Sequence, residues 1–150
     1  MGKIISVNIS DKKGVRKGSV ESALLVEGKG IESDAHSGPW HRQVSLLANE
    51  SINKMREKGL DVGSGDFAEN LTTEGIVLVE LPIGTVLKVG EGIILKVTQI
   101  GKVCHNRCAI YYQAGDCVMP KEGIFTEVIK GGIIKPGDSI DVVAGVKKII

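Results

Sequence analysis

Apolar and polar positions alternate along this chain in short runs, and glycines separate the runs. Lys3–Ile9 (KIISVNI) sets apolar residues two apart, the period of a half-buried strand. Ser22–Glu27 (SALLVE) and Val44–Ala48 (VSLLA) are further strand candidates, and Ile76–Glu80 and Thr85–Val89 are two more, joined by LPIG. Gly92–Ile100 (GIILKVTQI) carries the strongest pattern, and Ser139–Val143 closes the set. Gly123–Lys130 (GIFTEVIK) fits either helix or strand, and its β-branched content favours strand. One stretch has helical spacing instead, NESINKMREKGL. There Asn49 is the expected N-cap, Glu50 lies in the first turn, and Lys54, Arg56 and Lys58 lie toward the end. Ile52 and Met55 share a face, and Gly59 suits a left-handed stop. A weaker helical pattern covers His105–Gln113. Asp11–Gly18 reads as a basic turn, and Gly28–Trp40 as a long polar loop ending on the only tryptophan. The pattern predicts a mainly β fold, a closed barrel or sandwich of about seven short strands with a few short helices.

Composition narrows the function classes. A chain of 150 residues fits one domain, 1–150, and is long enough to bury a core without staples. No linker, repeat or low-complexity tract divides it. With 19 basic and 18 acidic residues it lacks the charge of a general nucleic-acid binder, and 3% aromatic content leaves no stacking platform for single strands. No signal-peptide pattern and no apolar run of membrane-spanning length is present. The expected location is therefore the cytoplasm, where thiols stay reduced.

That expectation bears on GKVCHNRCAIYYQAGDCVMP, which holds all three cysteines, 104, 108 and 117. An odd count in a reducing compartment weighs against structural disulfides. C-x3-C-x8-C does not supply the two close ligand pairs of a structural zinc site, although Cys104, His105, Cys108 and Cys117 keep that class open. A single reactive thiol fits better. Lys102, His105 and Arg107 flank Cys104, and cationic neighbours favour the thiolate, the form that attacks or ligates. Cys117 reads as a small buried hydrophobe, and Cys108 is left open. Two other stretches carry candidate chemistry. SDAHSGPWHRQVSLL brings Asp34, His36, His41 and Arg42 together before a buried strand, where an arginine fork can hold a phosphate or carboxylate as readily as pair with an aspartate. DFAENLTTEG places Glu69 and Asn70 before a Leu-Thr-Thr turn, so Asn70 either closes that turn or presents its amide to a ligand.

Taken in order, these stretches resemble the MOSC domain, the family named for the C-terminal domain of molybdenum-cofactor sulfurases. ESDAHSG is similar to its Gly-Asp-x-His loop and RQVSLL to its Arg-Gln-Val strand. ENLTTEGIVLVELPIGTVLKVGEGIILKVTQIG is similar to its Glu-Asn-Leu-Thr run with the strand beyond, VCHNRC falls where it places a cysteine, and EGIFTEVIKGGIIKPGDSIDVV resembles its ending. Ser33 and Ala68 stand where glycines are common, and Val103 where a proline is. The stretch from Cys108 to Cys117 resembles a small stand-alone bacterial or archaeal subgroup.

The resemblance implies a distorted closed β-barrel and a cavity for the molybdenum cofactor, a pterin (molybdopterin) carrying a phosphate. It makes Cys104 the reactive thiol, as a persulfide sulfur carrier or as a molybdenum ligand. Arg42 and His36 would meet the anionic part of the cofactor, and Glu69 and Asn70 would shape the pocket wall. The spacing itself adds Lys102 and Arg107 as sources of positive field. No pyridoxal-phosphate desulfurase sequence accompanies these residues. The expected partners are therefore a cysteine desulfurase or other sulfur donor, and a molybdoenzyme or cofactor-biosynthesis protein as recipient. The competing readings are a cofactor-binding or hand-over module without sulfur transfer, and a cofactor-dependent reductase of N-hydroxylated compounds.

Overall fold

The computed structural model describes residues 2–12, 15–101 and 122–144. Eleven strands appear among them: β1 Gly2–Ile9, β2 Gly18–Val20, β3 Ala23–Val26, β4 Gly30–Ile31, β5 Val44–Ala48, β6 Leu71–Glu74, β7 Val86–Val89, β8 Ile93–Ile100, β9 Ile124–Lys130, β10 Gly132–Ile134 and β11 Ser139–Ala144. Helix α1, Asn49–Glu57, joins β5 to β6, and one 3₁₀ turn covers Leu78–Glu80.

The larger sheet runs β11-β7-β8-β9-β5-β6-β1, and β1 pairs back to β11 at Gly2 and Lys3. Seven strands therefore close into a barrel, as the glycine-punctuated pattern predicts. Closure removes the open sheet edges that would otherwise invite association. β2 extends the free part of β1, and β10-β3-β4 form a small second sheet. Most pairings are antiparallel; β5 and β6 are parallel, which is why the longer connection through α1 separates them.

Alternation along the strands sorts the core into two layers. Val44, Leu46, Leu87, Leu95, Val97 and Ile124 fill the barrel with their neighbours. Leu47 and Phe125 point the other way and pack beneath α1 with Ile52, Met55, Val62 and Phe67. Burying Ile52 and Met55 in that layer stabilises the helix by roughly 1.5–3 kcal/mol per side chain. Isolated helices of this length are marginal, so tertiary packing is what holds α1.

Several expectations need correction. Ile76–Glu80 is not a strand; only Leu78 is buried while Val77 and Val79 are exposed, and the 3₁₀ turn uses Leu78 as its anchor. The Leu-Thr-Thr stretch is not a turn but β6, with Thr72 and Thr73 fully buried, in keeping with the fit of β-branched residues to a pleated sheet. Ala48, in extended conformation, is the N-cap; Asn49 is the first helical residue and accepts a bond from Arg56. Gly59 does take the left-handed conformation, φ 91°. Gly28–Trp40 includes β4, and Lys17 of the basic turn is buried. The helical pattern at His105–Gln113 lies outside the described residues. Among those described, no helix is long and apolar enough to cross a membrane.

Candidate functional site

The site is assembled where β8 ends and β9 begins. Val97 faces the barrel interior, so strict alternation would send Gln99 inward as well. A bulge prevents this: Val97 pairs with Thr126, Gln99 pairs with Phe125, and Thr98 is the extra residue between them. One added residue reverses the face of all that follow. Gln99 is thereby placed on the outer face beside Phe125. The bulged Thr98 hydroxyl bonds the carbonyl oxygens of His41 and Phe125, which ties the chain before β5 to this part of the wall.

Gln99 joins three groups. Its Oε1 accepts from Arg42 Nε at 3.1 Å and lies 3.0 Å from His41 Nε2, while its Nε2 donates to the Gly101 carbonyl at 2.7 Å. The opposite amide orientation would oppose two carbonyl oxygens at Gly101 and aim the amide N–H groups at the Arg42 donor, so the network fixes the assignment. His41 must then donate from Nε2. The Arg42 guanidinium also lies over the Phe125 ring, 5.2 Å from its centroid, a cation–π contact. No described residue accepts from its terminal nitrogens.

From Arg42 the contacts continue in two directions. Phe125 pairs with Ser45 across β5, and Ser45 donates its N–H to Asn70 Oδ1 at 3.0 Å. Gln99, Phe125, Ser45 and Asn70 thus form one row across the wall. In the other direction, Trp40 meets His41 edge-on at 5.9 Å and stacks on His36 at 6.1 Å. His36 belongs to the loop held by Asp34, whose carboxylate accepts from Lys17 Nζ at 2.8 Å and from the N–H groups of Ser10 and His36. Both side chains of the Lys17–Asp34 pair are fully buried. Burial alone would raise the Asp34 carboxyl, but the His36 and Lys17 side chains and these two N–H groups outweigh it. The carboxyl therefore sits below the usual range. His36 Nδ1 is buried 3.7 Å from Asp34 Oδ2, within electrostatic reach of that carboxylate, and makes no hydrogen bond to a described residue.

Glu69 and Asn70 are both fully buried. Glu69 accepts from the N–H groups of Gly65 and Phe67 and from the Thr72 hydroxyl at 2.7 Å. Burial pushes its carboxyl up by more than these hydrogen bonds pull it down, and no described cation pairs with it. Asn70 Nδ2 donates to the Asn8 carbonyl at 3.1 Å, tying β1 to the row. These two side chains therefore meet protein groups rather than an open cavity.

Cys104, Lys102 and Arg107, with His105, Cys108 and Cys117, lie outside the described residues. The points where that segment leaves and returns are described. Gly101 N–H bonds Gly123 O at 2.6 Å, so both ends meet beside Gln99. Glu122, at the returning end, accepts from Ser51 Oγ at 2.6 Å and Lys54 Nζ at 2.8 Å and lines a cavity of about 490 Å³ walled by Ile76 and Leu78. Among the described residues no three His, Cys, Asp or Glu side chains gather as a metal site. Gln99 carries no motif in the sequence. Its one signal was a polar residue at a core-facing position of an otherwise regular alternation.

Fold and rim together define a small closed barrel with a basic, aromatic-backed shelf at the foot of a cysteine-bearing segment. The family model described as "MOSC domain" matches residues 33–141, and the chain belongs to that family. MOSC domains are associated with the molybdenum cofactor. Among solved structures, the YuaD protein from Bacillus subtilis is similar with TM-score 0.77 and 19% identity, over 93% of this chain and 94% of that one. YiiM from Geobacillus stearothermophilus gives 0.71 and 19%, over 96% and 76%. YiiM from Escherichia coli gives 0.70 and 21%, over 97% and 71%. At these identities the likeness is one of fold. No curated protein matched the chain.

Proposed function

We propose that this protein binds the molybdenum cofactor as its cargo and carries or transfers sulfur to it through a persulfide on Cys104. One observation supports this reading most. Arg42 is held by Gln99 and Phe125 with its terminal nitrogens unclaimed among the described residues, beside the point where the Cys104 segment begins. A planar fork of donors suits a phosphate such as the pterin carries. His36, stacked on Trp40, continues the same run of contacts, with its buried Nδ1 making no hydrogen bond to a described residue. Lys102 and Arg107 would add positive field near the thiol, and Glu69 and Asn70 would hold the wall behind the shelf.

The loading step needs no external oxidant or reductant. The Cys104 thiolate attacks the outer sulfur of a donor persulfide, a new S–S bond forms, the donor's S–S bond breaks, and the donor leaves as a thiolate. The donor would be a cysteine desulfurase or another persulfide-bearing protein, and the recipient a molybdoenzyme or a cofactor-biosynthesis protein. In this reading the protein works in the cytoplasm, where Cys104 stays reduced until loaded. The test is intact-mass analysis after incubation with a cysteine desulfurase and cysteine. One added sulfur, lost on treatment with a reducing thiol and absent in Cys104→Ser, is expected. No added sulfur, under conditions that load a known carrier, leaves cofactor binding or hand-over without sulfur transfer.

A further inference from the structure

We infer that Gln99 is the positioning residue of an oxyanion subsite at Arg42, one that takes a phosphate monoester; this rests on the reading of Arg42 given above. A flexible arginine on a surface loses much rotamer freedom when it binds a ligand. Here that freedom is already restricted in two independent ways. The Gln99 carbonyl takes Nε–H in the guanidinium plane, and the Phe125 face lies against the guanidinium. With Nε–H committed, the donors left are the two terminal nitrogens. They present two N–H bonds to one tetrahedral oxyanion, the bidentate geometry that lysine cannot supply.

Gln99 is itself fixed. Its NH2 donates to Gly101 O, so its carbonyl cannot turn away from Arg42. The bulge at Thr98 puts it on this face at all, since a regular strand would bury it. A polar residue redirected by a bulge onto an arginine is a local cost in sheet regularity that packing alone does not explain. The same carbonyl fixes neighbouring His41 with its proton on Nε2. That tautomer is a spectroscopic mark of the Gln99 orientation, independent of any ligand.

The chain's only tryptophan, Trp40, touches His41 edge-on and serves as the reporter. Wild type, Gln99→Met and Gln99→Glu are titrated with phenyl phosphate, inorganic phosphate and molybdate at constant ionic strength, following Trp40 emission and, for phosphate, ³¹P line width. Met keeps the length of Gln without its amide; Glu puts a carboxylate against Arg42. Saturable binding is expected in wild type, tightest for the monoester, with affinity several-fold to roughly tenfold lower in Gln99→Met, the rotamer freedom that an unheld Arg42 would lose on binding. Gln99→Glu is expected to bind more weakly still, with unfolding midpoints unchanged in both. Imidazole ¹⁵N spectra should show His41 protonated on Nε2 in wild type and in tautomeric exchange in Gln99→Met.

Wild-type affinity in Gln99→Met overturns the role of Gln99. If Arg42→Ala still abolishes binding in that case, the reading of Arg42 stands without it. Equal affinity for all three probes identifies a general oxyanion site and overturns the monoester assignment. No saturable response in wild type overturns the subsite, while the mass test at Cys104 remains an independent measure of sulfur transfer.

Discussion

Two buried carboxylates sit at corners built alike and end in opposite electrostatic states. Asp34 and Glu69 each follow a left-handed residue that is not glycine, Ser33 with φ 72° and Ala68 with φ 63°. Each accepts two backbone N–H groups, Asp34 from Ser10 and His36 and Glu69 from Gly65 and Phe67. The difference lies in what else reaches the oxygens. Asp34 has the His36 side chain and the Lys17 ammonium, the latter at 2.8 Å, whereas Glu69 has only neutral donors among the described residues, Thr72 among them. The Asp34 carboxyl is therefore pulled below the usual range, and Glu69 is pushed above it by burial. At Glu69 the neutral hydrogen bonds pull the carboxyl down but do not outweigh the desolvation of its charge.

The two corners differ most at Lys17. Lys17→Met removes the one described ammonium paired with a fully buried Asp34 and leaves it the His36 side chain and neutral donors. The expected cost is about 3–5 kcal/mol in urea denaturation at neutral pH, the penalty for an unpaired buried charge. Adding Asp34→Asn should recover most of it, because no uncompensated charge then remains. A loss under about 1 kcal/mol in the single variant would show that solvent reaches Asp34 and that the pair is weak.

How legible this was in the sequence differs between the corners. The strands were readable where alternation was clean, as in β1 and β8, because one buried face imposes the period, whereas β5, buried throughout, and β9 were readable from apolar and β-branched content. Ser33 and Ala68 were readable as departures from glycine, and both prove to be left-handed. Lys17 was not readable as a buried partner: it sits among Lys and Arg residues in what looks like a solvated turn, and only the fold carries it to Asp34. β6 was misread because Asn-Leu-Thr-Thr has turn chemistry locally, while pairing with β5 and β1 decides its conformation. Gln99 was missed because a bulge is a tertiary event that strict alternation cannot express.

Stability against pH should show the two corners as opposing limbs. The depressed Asp34 carboxyl contributes stability that is present above its unfolded value, about 3.9, and is lost as pH falls below it. The raised Glu69 carboxyl works the other way. Above its unfolded value, about 4.3, the unfolded chain releases that proton more readily than the native one. Stability therefore declines as pH rises, until the raised native value is passed. Glu69→Gln should flatten this second limb and leave the acid limb intact, with neutral-pH stability within about 1 kcal/mol of wild type. Denaturation midpoints measured from acid to neutral pH check both limbs. If Glu69→Gln leaves the profile unaltered, burial does not govern Glu69.

The smallest expected effects separate the corners once more, now through the backbone. A left-handed conformation costs a non-glycine residue roughly 1–2 kcal/mol, and glycine returns about 0.5–1 kcal/mol of that as lost chain entropy. Ser33 is exposed, so Ser33→Gly removes strain and little else; a gain of about 0.5–1 kcal/mol is expected. Ala68 is half-buried, so the same change also deletes a methyl group that is partly packed, worth at most about 0.8 kcal/mol. The two terms nearly cancel, and Ala68→Gly should lie close to wild type. Thermal midpoints of the two variants, measured side by side, decide the matter. A larger gain at Ala68 than at Ser33 would mean that the Glu69 corner holds the greater strain, with the unpaired carboxylate, not the methyl, dictating its geometry.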